Sequence, residues 1–514
     1  MRILTAALTL AVVLTISACQ SAPNPQEVTP ALQTLVAGSP LPKVEAAVWS
    51  DLRSFYTQRA NAPAWVNHRR PTDKAAEAIQ ILNTARRHGF DPAEYATPQL
   101  LEMSQAIEKL EKGSEARLEE LAEFDARLTA GMLAFGKDIA AGRQKGDAGY
   151  TNRRTMPDLV AAVTAAADNP EKFVDAVRPQ HPEYVALAKA LDDLHGQKEK
   201  GGWVKVPSAK SGDELRQRLQ ASGHLKEGGD LTAAIKSFQE LHSIAASGVV
   251  DEKTLAALNV PLNWRMQQVA INLQRWRWMP DQLGERHFFV NIPHFTLVAR
   301  EAGKPVMDIR VVVGKPGNNT PIFSEEMETV VFSPYWNIPD SIAEGETAPA
   351  IARDPNYLAR QGIEIIRVSG GDAQTLNASD VNWRSPDAAK GLVFRQKPGA
   401  GNALGHVKFL FPNKHNVYLH DTPADSLFAK PGRAFSHGCV RVEEPEALAK
   451  YVLKGYSEWD EQSIFTAMHS GSEKHVKMKA KIPVHIAYLT SWVDENGGLH
   501  FAPDIYGYDK DAGN

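Results

Sequence analysis

The sequence predicts a multidomain α+β protein, helical in its first half and mainly β in its second. Three observations carry this. Apolar residues recur at helical spacing from about residue 44 to 280. Beyond residue 286 the period falls to two, with turn residues between the runs. Between about 206 and 262, three short amphipathic segments separated by Gly and Asp turns form a small helical unit of their own. A chain of 514 residues is long enough for two or three domains.

The first stretch, 1–19, has a short positive start at Arg2 and a nearly continuous apolar run from Ile3 to Ala18. That run is too short to span a membrane comfortably. Ile16-Ser17-Ala18-Cys19 resembles a bacterial lipoprotein signal, which implies lipidation of Cys19 at a mature N-terminus. Gln20, where an Asp would redirect sorting, implies a periplasmic protein anchored at the inner leaflet of the outer membrane. Residues 20–43 carry Pro23, Pro25, Pro30, Pro40 and Pro42 and are expected to be a flexible tether.

From 44 to 205 the pattern is helical. Ala75, Ala78, Ile79, Leu82 and Ala85 share one face, closed by Gly89 and Pro92. Leu118, Leu121, Phe124, Leu128, Met132 and Phe135 predict a longer helix over 115–142, stopped by Gly142. No chemistry is visible here. In 206–262, Leu215 and Leu219 mark one helix, Leu231 to Leu241 a second and Thr254 to Asn259 a third. Residues 263–284 read as a linker helix ending in Trp276-Arg277-Trp278-Met279-Pro280, whose tryptophans are expected to pack onto the next domain.

From 285 to 510 the strands are His287–Val298, Val306–Val313, Glu328–Phe332, Glu364–Val368, Leu392–Gln396, His406–Phe411 and Asn416–His420. Ser341–Arg360 looks helical, and Gly370-Gly371 reads as a loose turn. The interruption at about 340–390 is expected to be a lid over a strand-built site. Pro445 opens a helix that Gly455 ends, and Ile482–Leu489 reads as the last strand.

With 57 Lys+Arg against 61 Asp+Glu the formal charge is -4, which argues against a nucleic-acid binder. Two cysteines make no disulfide framework, and with Cys19 in the signal, Cys439 is left as the lone thiol. It sits in Ser436-His437-Gly438-Cys439-Val440-Arg441-Val442, a small turn entering a strand. Nineteen positions earlier, His420 closes Asn416-Val417-Tyr418-Leu419-His420. A lone cysteine beside a histidine from a neighbouring strand is the minimal layout for thiol nucleophilic catalysis. The imidazole takes the thiol proton, and the N–H groups of Gly438 and Cys439 are expected to face the oxygen that becomes negative. The bland alternative is a small buried hydrophobe. Arg441, two residues on along a strand, shares the thiol's face and is placed to hold a carboxylate. Arg395, Lys408 and Asn413 flank the site in sequence; for Arg395 and Lys408 an ordinary salt bridge is an equal reading.

His420, fifteen intervening residues, then Ser436-His437-Gly438-Cys439 resembles the signature of L,D-transpeptidases, the YkuD-type cysteine domain that cross-links bacterial peptidoglycan. Many members have Asn where this chain has Arg441, and Cys-Val-Arg-Val resembles the YcbB-type subfamily. That resemblance implies a scaffold domain at 44–205, marked by Phe55-Tyr56 and Ala62-Pro63-Ala64-Trp65. It implies a peptidoglycan-binding-like domain at 206–262, marked by Phe238-Gln239 and Leu255-Ala256-Ala257-Leu258-Asn259. It further implies a catalytic domain at 285–510 with a capping lid, a groove segment Pro334-Tyr335-Trp336-Asn337-Ile338-Pro339, and a C-terminal hairpin at Tyr506-Gly507-Tyr508.

The implied site residues are Cys439 and His420 for catalysis, Ser436, His437 and Gly438 around the oxyanion, and Arg441, Tyr418, Trp336 and Asn337 for substrate. The implied reaction is acyl transfer through a Cys439 thioester that releases D-alanine and forms 3–3 cross-links. The implied partners are peptidoglycan stem peptides and a membrane, through the lipid anchor. No cofactor, metal or nucleic acid is implied. Rival expectations are attachment of an outer-membrane protein to the wall by the same chemistry, a non-catalytic wall-binding lipoprotein, and a zinc hydrolase. For zinc, the spacings of His406, His415, His420, His437 and Cys439 match no standard ligand pattern.

Overall fold

A computed structural model describes residues 27–67, 70–110, 114–143, 154–369, 372–385 and 387–512. The signal, Cys19, the start of the tether and Gly370-Gly371 lie outside the described residues. Among the described residues, no helix is long and apolar enough to cross a membrane. The chain divides into two compact units, one of 1–86, 90–138 and 157–177, the other of 87–89, 139–156 and 178–514.

The first unit is helical. The 75–85 pattern becomes helix Asp73–Asn83, capped by Thr72, whose hydroxyl accepts from the Ala75 N–H. The longest helix runs Glu115–Ala141 and stops where Gly142 adopts φ +75°. Asp125, on that helix, is fully buried. Its carboxylate accepts from the N–H groups of Ala64, Trp65 and Val66 at 3.0, 2.6 and 3.0 Å, and from the Tyr56 hydroxyl at 2.6 Å. One saturated carboxylate therefore pins both sequence-marked segments of this unit to its longest helix. The tether expectation needs correction. Thr29–Ala37 is a helix with Val28, Leu32 and Val36 buried at four-residue spacing. Pro30 sits in its first turn, where a missing N–H costs nothing.

In the second unit, the expected linker helix is Leu262–Arg277, and twelve of its residues are buried. It is a core element: Met266, Val269, Leu273 and Trp276 join Tyr184, Leu187 and Leu191 of helix Pro182–Glu199 in the main hydrophobic cluster. That helix fell within the expected scaffold but packs in this unit. Trp276 and Trp278 are both buried, as the packing reading expected. Arg275 and Asp509, each 1% exposed, pair at 2.7 Å.

The three-helix module comprises Gly212–Ala221, Leu231–Leu241 and Glu252–Leu258 around Leu219, Ile235, Phe238 and Leu258. Gln239 is an internal brace, donating to the Val249 carbonyl and the Thr254 hydroxyl and accepting from the Gly248 N–H.

The strands are β1 Arg286–Asn291, β2 Thr296–Glu301, β3 Lys304–Gly314, β4 Phe323–Phe332, β5 Trp336–Ile338, β6 Ile363–Ser369, β7 Asp372–Leu376, β8 Leu392–Gln396, β9 Val407–Leu410, β10 Leu419–His420, β11 Ala434–Ser436, β12 Val440–Val442, β13 Lys474–Ala487, β14 Ser491–Val493 and β15 Leu499–Phe501. The main sheet runs β11-β3-β12-β10-β9-β4-β13-β1-β2, and β2 also pairs with β3, closing the ladder on itself.

Four strand expectations change. His287–Val298 is two strands, because Pro293 interrupts the ladder and Phe295 turns through a left-handed φ of 59°. Only Leu419–His420 of the predicted strand Asn416–His420 joins the ladder, after Asn416 at φ 54°. Ile482–Leu489 is the end of the longer β13, and a β14–β15 hairpin follows it. Tyr506-Gly507-Tyr508 is a turn into helix Tyr508–Ala512, not a hairpin.

The insertion is more than a helical lid. Two of the predicted strands, β6 and β8, belong to its own sheet, ordered β5-β8-β6-β7. Helices Ala348–Arg353 and Tyr357–Gln361 share a separate core with that sheet, including Ile338, Ile351, Leu358, Ile365 and Phe394.

Candidate active site

The site is built where β10 and β12 run parallel, with Leu419 opposite Val440 and His420 opposite Arg441. Cys439 immediately precedes β12 and is half-buried. The turn that carries it is fixed by hydroxyls. The Ser436 hydroxyl donates to the Cys439 carbonyl at 2.6 Å and accepts from the Gly438 N–H at 3.1 Å. The Thr320 hydroxyl donates to the Gly438 carbonyl and accepts from the Gly314 N–H, each at 2.8 Å. Gly438 has φ +117°, a region open to glycine and strained for other residues.

This corrects the oxyanion expectation. The Gly438 N–H is spent on Ser436, whereas the His437 and Cys439 N–H groups make no hydrogen bond among the described residues. Those two are the donors left for a developing negative oxygen.

His420 is 4% exposed. Its Nδ1 lies 2.5 Å from the Asp421 carbonyl. A carbonyl can only accept, so Nδ1 carries the proton and Nε2 keeps a free lone pair. Burial, then the Arg441 and Lys408 charges, push its pKa down to about 3, against the opposing pull of the Asp421 carbonyl. His420 therefore rests neutral. Burial raises the Cys439 thiol, while Tyr418 and the Arg441 charge draw it back. At rest Sγ–H points to the Asn416 carbonyl, 3.8 Å away, with no hydrogen bond to His420 among the described residues. Catalytic hydrogen bonds commonly tighten only when substrate binds.

Arg441 has a buried Nε without a hydrogen-bond partner and makes no ion pair among the described residues. Lys408 lies opposite His420 on β9, is pushed down by burial, and donates to the Tyr335 carbonyl at 3.2 Å. Two cations thus flank the imidazole, an arrangement suited to an anionic substrate. The Tyr418 ring meets the His420 ring edge-on at 5.7 Å.

The other predicted residues lie elsewhere. Trp336 packs against the insertion's own core, and Asn337 is opposite Arg395. Arg395 pairs with Glu364 at 3.0 Å, the salt-bridge reading. Asn413 braces its own turn by donating to the Phe411 and Val417 carbonyls. His437 is 2.8 Å from Glu346, in the π-helical turn Ala343–Thr347, and so joins the Cys439 turn to the insertion.

Thr320, Asn416 and Tyr506 were missed by sequence reasoning. The Tyr506 hydroxyl donates to the Gly314 carbonyl at 2.7 Å and accepts from the Thr320 N–H, fixing the Thr320 that in turn holds the Gly438 carbonyl. Among the described residues, no group of three or more His, Cys, Asp or Glu is placed to hold a metal ion.

Comparison with known families bears on this geometry. Residues 285–463 match the profile of the L,D-transpeptidase catalytic domain. The chain carries an L,D-transpeptidase catalytic domain. Residues 50–191 match the scaffold domain, and 213–258 match a peptidoglycan binding domain. A Haemophilus influenzae protein named "Putative L,D-transpeptidase" is 35% identical over 245 residues, 48% of this chain and 48% of its own length. This chain thus spans about half of that relative.

Among solved structures, an L,D-transpeptidase from Mycobacterium smegmatis aligns at 14% identity, covering 40% of this chain and 58% of that one, with a TM-score of 0.20. A crystal structure of one from Xylanimonas cellulosilytica aligns at 15%, covering 56% and 96%, with a TM-score of 0.17.

Proposed function

We propose that the chain is a cysteine L,D-transpeptidase acting on peptidoglycan tetrapeptide stems. The observation that carries this is the Cys439–His420–Arg441 grouping at the paired ends of β10 and β12, inside the segment that matches the catalytic domain. Substrate binding turns Sγ from Asn416 toward His420 Nε2, which takes its proton. The thiolate attacks the carbonyl of the third stem residue. The N–H groups of His437 and Cys439 hold the oxyanion, and Arg441 holds a stem carboxylate. Collapse breaks the peptide bond, and His420 passes its proton to the departing D-alanine amine. The side-chain amine of a second stem then attacks the thioester. His420 takes the amine's proton and returns it to sulfur, leaving a 3–3 cross-link.

Incubating disaccharide-tetrapeptide with the protein should yield dimeric muropeptide with loss of D-alanine, and Cys439→Ala should yield none. A dimer formed equally by Cys439→Ala would overturn the assignment. D-alanine release without dimer would move the acceptor to water or a protein amine.

A further inference from the structure

A cavity of about 510 Å³ lies outside the Cys439 site, between helix Glu461–Met468 and the start of β13. Its lining includes Gln462, Ser463, Thr466, Ser472, Glu473 and Lys474. Hydroxyls, an amide and one charge of each sign suit a neutral, hydroxyl-rich ligand, and the volume falls within the ~300–1,000 Å³ of small-molecule sites. Phe465, three residues on from Gln462 and so on the same helical face, is 47% exposed with its ring stacked on His469. Phe465 is outside the cavity's lining, and one ring face is covered by His469, so only its outer face is left to meet the C–H face of a sugar at the cavity's edge.

The register ties this cavity to the nucleophile. Arg441, His420, Lys408, Val331 and His475 form one row across β12, β10, β9, β4 and β13. The row ends at the cavity wall, where His475 Nε2 is 3.1 Å from Glu473. Tyr335 bridges the two places: its carbonyl accepts from Lys408, and its N–H donates to Glu473 at 2.7 Å. From β10 to β13 is three strand spacings of ~4.8 Å, or about 14 Å. Three extended residues cover about 10 Å, leaving the remainder for the link to the sugar.

We infer that this cavity binds the amino sugar that carries the donor stem, so the protein reads glycan and peptide together. The orientation of the stem rests on the transpeptidase reading. The presence of a sugar site does not.

The test is titration of peptide-free disaccharide into full-length Cys439→Ala protein, followed by calorimetry or NMR. Saturable binding is expected, weakened at least ~10-fold by Thr466→Trp and by Ser472→Trp, exposed positions on two walls of the cavity. No saturable binding, or binding unchanged in both correctly folded variants, overturns the inference. With active protein, each variant should raise KM for disaccharide-tetrapeptide more than for free tetrapeptide; equal effects on both substrates overturn it. Disaccharide binding without any thioester would refute the transpeptidase reading and leave the sugar site standing.

Discussion

Arg441 acts on both Cys439 and His420. Its charge favours the Cys439 thiolate and disfavours imidazolium at His420. Removing it should therefore raise both pKa values. In Arg441→Gln, thiol alkylation should move to higher pH, its rate near neutrality falling about tenfold for each pH unit by which the thiol rises. The His420 ring should also titrate at higher pH by NMR. An unchanged alkylation profile would show that the guanidinium does not reach the sulfur. At this scale the meeting of the Cys439 and His420 segments was legible, because a lone thiol in a long spaced signature marks both strands, and β10 and β12 do pair. Thr320 and Tyr506 were not legible. A hydroxyl that braces a turn from over a hundred residues away leaves no local pattern. The Gly438 N–H was misjudged because its partner, Ser436, is fixed by turn geometry rather than by spacing.

The β14–β15 hairpin shows what periodicity misses. Two three-residue strands carry no readable period, yet they join the small helical module to the main sheet. Phe501, 4% exposed, sits under the Arg265 guanidinium at 4.3 Å and beside the His242 ring at 5.3 Å. Phe501→Ala should cost about 3–5 kcal/mol by denaturant unfolding of the second unit. A cost below about 1 kcal/mol would mean that the module does not depend on this anchor. Long amphipathic helices such as Glu115–Ala141 were legible almost to the residue. Helix Thr29–Ala37 was not, because prolines around it read as a tether while its own apolar spacing is only three residues deep. Two of the four strands of the insertion's sheet, β6 and β8, were legible as strands but not as a second sheet, since sheet membership is set by long-range pairing.

Across the whole molecule, a set of histidines is held neutral by burial. His88 and His420 are pushed down to about 3, His224 and His294 to about 4, and His242 also lies well below its ordinary value. All five belong to the second unit. Below pH ~6.5 the unfolded chain binds protons that the folded unit refuses, so stability falls as pH falls toward 4 and is unaffected by these groups above about 7. The melting temperature of the second unit should therefore drop as pH falls from about 7 to 5, each such group removing up to about 1.4 kcal/mol of stability per unit of pH once below pH ~6.5. A melting temperature flat across that range would mean that these rings are hydrated in the folded protein. The α+β division was legible from the change of period. The partition into two units was not, because helix Pro182–Glu199 has the same helical signal wherever it packs.

The most direct test is intact mass after brief incubation with disaccharide-tetrapeptide. Covalent catalysis by Cys439 predicts a thioester adduct equal to the substrate less D-alanine on the wild-type chain, located on Cys439 and absent from Cys439→Ala. Product formed with no adduct on Cys439, or an adduct that survives Cys439→Ala, would contradict it.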